Sequence, residues 1–306
     1  MNKTSFKPAW WLPHAHLQTL WQGLCRREIK NLHIKRERLE LPDGDFVDLD
    51  WVGKNSGPIV LILHGLEGSI TSPYAQGMLS AVEHHGWRGV LMNFRGCSGE
   101  RNRLPRLYHA GETHDLEILI QALRQRHPDT PITAIGFSLG GNVLLKWLGE
   151  TSQNNPLTAA IGISIPFELH KSVVRMNQGF SRVYQKFLLR SLNTKMNTHF
   201  KTLKNFDEKI TAPLHGFVDA SDYYSNSSCR QYLHLIRVPT LLLQAKDDPF
   251  MTNDLLPEPN ELPAQVILEV FENGGHVGFI SGRFPWNPQY WLEKRVPEFL
   301  SGYLFS

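Results

Sequence analysis

Cysteine is scarce in this chain. Cys25, Cys97 and Cys229 are the only three in 306 residues, they lie far apart, and they form no C-x-x-C pair. They cannot all be paired within one chain, and a reducing compartment is expected. Long uncharged apolar runs are also missing, so nothing reaches the roughly 20 residues needed to span a bilayer. The opening residues, Met1 to Pro8, hold no apolar signal-peptide core, and the expected location is cytoplasmic. Nor does charge of one sign dominate. Lys and Arg number 32 against 29 Asp and Glu, a net charge of +3, too mild to imply a nucleic-acid partner. H-E-x-x-H is absent, and His14-x-His16 and His84-His85 lack the further ligands of a zinc site. Arg95-Gly96-Cys97-Ser98-Gly99 is glycine-rich but lacks the lysine and spacing of a phosphate-binding loop, and Cys97 has no evident base partner. No repeat and no Pro/Ser-rich linker divides the chain, so a single domain over residues 1–306 is expected.

The patterns present are those of a packed α/β protein, with 41% hydrophobic and 20% charged residues. Residues 34–52 alternate around Pro42-Asp43-Gly44-Asp45, which predicts an antiparallel hairpin at one edge of a sheet. From Pro58 onward the pattern changes to continuous apolar runs, at residues 59–63, 89–94, 132–137, 159–165, 240–244 and 266–271. Helical periods are predicted over 74–85, 112–126, 141–149 and 288–304. Such alternation implies a mostly parallel sheet flanked by helices. The spacing fails once: more than seventy residues separate Ile165 from Thr240. That stretch carries Val173, Val174, Met176, Phe180, Val183, Tyr184, Phe187 and Leu188 at helical intervals, and predicts a helical lid inserted over about 167–237. Between Pro166 and Arg237 eleven Lys or Arg face five acids. An anionic substrate or a peripheral lipid contact would suit that excess, as would a solvated helical face. Trp10, Trp11 and Trp21 are expected to pack or to contact the lid, in preference to anchoring a membrane.

Gly136-Phe137-Ser138-Leu139-Gly140 is a G-x-S-x-G pentapeptide between an apolar run and a helical period. A serine on such a strand-to-helix turn stands exposed above the sheet. Its hydroxyl is a weak nucleophile until a base, oriented by a carboxylate, takes its proton. The partners are expected later in the chain, acid before histidine. Gly274-Gly275-His276 follows the last run and supplies the base. Spacing does not separate Asp247 from Asp248 as the acid, but the extended bias of the residue before Pro249 favours Asp248. The oxyanion of an acyl-transfer intermediate needs backbone N–H donors. Leu139, next after the serine, is one candidate, and Leu66 in His64-Gly65-Leu66-Glu67-Gly68 is the other. The expected enzyme is a serine esterase using no metal or organic cofactor. Acyl transfer to another acceptor, or ligand binding without turnover, remains as an alternative.

Taken in order, Pro13-His14-Ala15-His16-Leu17-Gln18-Thr19, His64 to Gly68 with Ser72-Pro73-Tyr74, Asn93 to Gly99, Gly136 to Asn142, Asp247-Asp248-Pro249 and Gly274 to Phe279 resemble the YheT-like hydrolases of the AB hydrolase 4 family. The resemblance spans nearly the whole chain. It implies an α/β-hydrolase fold, a charge-relay set of Ser138, Asp248 and His276, and hydrolysis of carboxylic esters, from short-chain esters to the glycerolipids of animal relatives. Ala15 departs from the proline often found there.

Overall fold

The computed structural model describes residues 5–26, 29 and 32–304. Met1 to Thr4, part of the opening segment read above, lie outside the described residues. After helix α1 (Ala15–Cys25), strands β1 (Lys35–Glu40) and β2 (Phe46–Val52) form the expected hairpin. Gly44 takes φ +85° in its turn, a conformation that costs glycine little. Then come β3 (Ile59–Leu63), α2 (Pro73–His84), β4 (Arg88–Asn93), α3 (His114–Arg126), β5 (Ile132–Phe137), α4 (Leu139–Thr151) and β6 (Ala159–Ile163). The sheet order is β1-β2-β4-β3-β5-β6-β7-β8, where β7 is Thr240–Ala245 and β8 is Val266–Phe271. β1/β2 and β2/β4 pair antiparallel, and every other pair is parallel.

The apolar runs became strands because most are covered on both faces, which removes any need for polar alternation. On one face Val60, Ile62, Leu91 and Ile161 meet Leu79 and Val82 of α2, and Val296 and Leu300 of α10 (Leu292–Leu304). On the other, Leu61, Val90 and Ala134 meet Leu116 and Leu119 of α3 and Leu144 and Leu148 of α4. β2 does alternate, yet its acids Asp48 and Asp50 are buried. Arg38 and Arg36 stand directly opposite in register and close two-pronged ion pairs on them, with N–O distances of 2.8–3.0 Å.

Between β6 and β7 the chain is helical, as its spacing predicts: α5 (Leu169–Met176), α6 (Ser181–Met196), α7 (Leu203–Phe206), a π turn at Asp207–Thr211, α8 (Ala212–Leu214) and α9 (Ala220–Ser227). Met176, Tyr184, Leu189, Leu192, Leu203 and Phe206 give this insertion an apolar cluster of its own.

Boundaries shift where side chains intervene. The helix predicted from Glu112 begins at His114, because the Glu112 carboxylate accepts the His114 N–H at 3.3 Å. The closing helix predicted from residue 288 begins at Leu292, because strand β10 (Asn287–Tyr290) pairs with β9 (Ile280–Phe284). Pro288 sits where that pairing breaks register, a place where its missing N–H costs nothing.

Candidate active site

Ser138 lies between β5 and α4 with φ +52° and ψ −117°. A non-glycine residue is strained there and persists only where its surroundings fix it. Its N–H donates to Ile163 O at 2.8 Å, and its carbonyl accepts from Asn142 N at 3.1 Å. The flanking glycines are required by close approach. A Cβ on Gly140 would fall 2.5 Å from the carbonyl oxygens of Leu63 and His64, and one on Gly136 would fall 2.5 Å from Gly140 O.

Above this turn, His276 Nε2 is 2.9 Å from Ser138 Oγ, and His276 Nδ1 is 2.8 Å from Asp248 Oδ2. The second Asp248 oxygen accepts from Phe250 N at 2.8 Å, and the carboxylate is buried. Asp247 serves a different bond, accepting the Gly275 N–H at 2.9 Å. The Phe250 ring stacks on the imidazole, 3.9 Å between centroids and 7° from parallel. The three side chains expected to act together therefore meet.

The His276 loop leans on α1, a helix whose role sequence reasoning missed. Thr19 Oγ1 accepts the His276 N–H at 2.9 Å. Gln18 takes the Ile280 N–H at 2.7 Å and donates to Ile280 O at 3.0 Å, while Gln22 donates to Val277 O at 2.9 Å. The packing is close enough that a Cβ on Gly278 would sit 2.5 Å from Gln18 O. The Pro13–Thr19 motif was the one signal, and it carried no chemistry of its own.

In the loop after β3, Gly65 N donates to Tyr74 OH (2.9 Å), Glu67 N to Tyr108 OH (2.7 Å) and Gly68 N to Gly65 O (2.9 Å). The hydrogen bonds of these turns leave out Leu66 N, and also Leu139 N at the start of α4. Donors facing a reaction site must be left in that state. His64 is structural: Nδ1 donates to Gly65 O at 2.7 Å, Nε2 accepts from Phe94 N at 3.1 Å, and burial pushes its pKa down to about 4.

Ser138 and His276 face a mostly apolar cavity roofed by the insertion, with Val173, Met176, Leu188 and Leu192 in its wall. A second hollow reaches Ser138 from the side of α1, past Gly23, Tyr74 and Phe187. Among the described residues, one group of His, Cys, Asp and Glu comes close enough to suggest a cation site: His109, Glu112 and His215. Two of the three have protein partners, whereas His215 Nε2 is buried without a hydrogen-bond partner. Arg106 binds Glu112 at 2.5 Å, and His109 Nδ1 accepts from Gly111 N, leaving the ring proton on the nitrogen that faces Glu112. In the glycine-rich loop, Arg95 is buried in ion pairs with Asp115, Asp43 and Asp45, and burial pushes the Cys97 thiol up to about 11. That thiol stays protonated and is a poor nucleophile.

Residues 58–283 match the family model described as the alpha/beta hydrolase fold. The chain is 42% identical to "Putative esterase YheT" of Escherichia coli (strain K12), aligned over 99% of this chain and 95% of that protein. It is 29% identical to phospholipase ABHD3 of Mus musculus, over 92% and 74% respectively. The solved structure of the Pyrococcus furiosus esterase Pf2001 shares the fold, with a TM-score of 0.62, 19% identity, and coverage of 89% of this chain and 94% of that one. Among the described residues, no helix is long and apolar enough to cross a membrane. The chain belongs to the α/β-hydrolase fold family, as an esterase/lipase-like member.

Proposed function

We propose that the protein hydrolyses carboxylic esters through an acyl-enzyme on Ser138, with His276 as base and Asp248 as the acid that orients it. The observation that carries this reading is the unbroken chain Ser138 Oγ–His276–Asp248, at 2.9 and 2.8 Å. His276 Nε2 takes the serine proton as Oγ attacks the ester carbonyl. Asp248 holds the other nitrogen protonated and stabilises the imidazolium. The amides of Leu66 and Leu139 receive the oxyanion, a contribution of about 3–4 kcal/mol per donor in comparable sites. The protonated histidine then hands its proton to the leaving alcohol. Water, activated by the same imidazole, releases the acid.

The insertion acts as a lid in a single domain, and the apolar cavity beneath it accepts the acyl chain. On the outer face of α6, Val183 and Phe187 are exposed beside Arg182, Lys186 and Arg190, a surface suited to peripheral contact with lipid. Other members of the basic excess are spent internally: Lys171 and Arg230 pair with Glu168, and Lys195 with Glu67. A cytoplasmic location follows from the sparse, unpaired cysteines.

A nitrophenyl ester panel with competing alcohols tests the reaction. Free acid as the main product supports hydrolysis, dominant transesterification reassigns the protein to acyl transfer, and tight binding without turnover makes it a binding protein.

A further inference from the structure

Glu67 stands next to the Leu66 amide, and the reaction above gives it no part. Its backbone holds φ +56°, a costly conformation for a residue with a Cβ. Its side chain is only 4% exposed. Tyr108 fastens both ends of the residue, accepting the N–H at 2.7 Å and donating to Oε1 at 3.0 Å. The other two donors come from α6: Lys195 Nζ lies 2.8 Å from the carboxylate oxygens, and the Ser191 hydroxyl donates to Oε2. These residues are four apart, hence neighbours on one helix face. Lys195 also donates to Cys97 Sγ at 3.3 Å. The opposite end of α6 is tied near the triad acid, where Ser181 Oγ donates to Pro249 O at 2.6 Å.

We propose that Glu67 is a positioning residue, through which Lys195 and Ser191 of α6 hold the Leu66 amide in its oxyanion-binding direction, so that the oxyanion site is complete only while the lid helix is seated. This rests on Leu66 being an oxyanion donor, as proposed above. Lifting α6 would strip the Glu67 carboxylate of its cation and one hydroxyl, leaving a neutral phenol to hold a strained peptide. Substrate entering past α6 would thus meet an incomplete site, and reseating of the helix would restore it.

The test compares kcat, KM and melting temperature for wild type, Glu67→Gln, Lys195→Met, the double variant and Lys195→Arg on one medium-chain nitrophenyl ester. An oxyanion contact acts in the transition state, so each of the first two should lower kcat about tenfold or more while KM moves less than about threefold. The double variant should be no slower than the worse single one, because both break the same link. Lys195→Arg should recover most of the rate. Losses that multiply in the double variant, or melting temperatures that fall with kcat unchanged, overturn the proposal. Fluorophosphonate labelling of the wild type separates the two readings. If Ser138 labels and esters turn over while both single variants match wild type, the latch alone is wrong. If the wild type neither labels nor turns over, the esterase reading fails and takes the latch with it.

Discussion

Asp248 Oδ2 lies 2.8 Å from His276 Nδ1, while the adjacent Asp247 turns to the Gly275 N–H at 2.9 Å. Two neighbouring carboxylates thus serve one loop differently, one orienting the imidazole and the other holding the backbone that presents it. Asp248→Asn should cut kcat on a nitrophenyl ester by about 10³–10⁴, since an amide stabilises the wrong tautomer. Asp247→Asn should cost no more than about tenfold. Equal losses would mean that the roles are shared.

Gly140→Ala tests the serine turn. The added Cβ would meet two backbone carbonyls at 2.5 Å, neither of them a flexible side-chain end. Destabilisation of about 1–3 kcal/mol is expected, with loss of ester turnover. A chemical-denaturation midpoint and activity both close to wild type would show that the β5–α4 turn is looser than described.

How much of this was legible beforehand depended on how local the signal is. β3 and β5 fall on their apolar runs to the residue because burial on both faces writes itself into consecutive positions, and the edge strand β8 matches its run although most of its residues are only half-buried. Ser138 and His276 announced themselves by glycine-bounded turns next to those runs. Thr19 supports His276 across 257 positions of sequence, and Lys195 reaches Glu67 across 128. Neither pair leaves a periodicity, since each bond exists only after the sheet has assembled. For the same reason β9–β10 went unseen, with Pro288 and short strands pointing toward a loop or a helix start.

Val173 is half-buried on α5 and lines the cavity beside Ser138. Val173→Phe should fill part of that space and shift the preferred acyl chain shorter, with kcat/KM falling for long esters and holding for acetate. Each excluded methylene is worth about 0.8 kcal/mol. An unchanged chain-length profile would place the acyl group elsewhere, for example in the hollow beside α1.

Asp207 lies on the π turn, where burial pushes its carboxyl up to about 6 although the Thr211 and Tyr224 hydroxyls both donate to it at 2.7 Å. A folded-state pKa above the unfolded value means that its contribution to stability is fully present below about pH 4 and is lost as pH rises through about 6. Asp207→Asn removes that dependence. Measured by urea midpoints at pH 4, 5.5 and 7.5, the variant should gain on wild type as pH rises, by on the order of 2 kcal/mol. Parallel curves would show that folding leaves the pKa of this carboxyl unshifted.

The most direct measurement of the central claim is peptide mass spectrometry after reaction with a fluorophosphonate. The account predicts one covalent adduct, on Ser138, formed rapidly in wild type, slowly in His276→Ala and not at all in Ser138→Ala, with ester turnover lost in step. Full turnover in Ser138→Ala, or an adduct on a different residue that tracks activity, would contradict it.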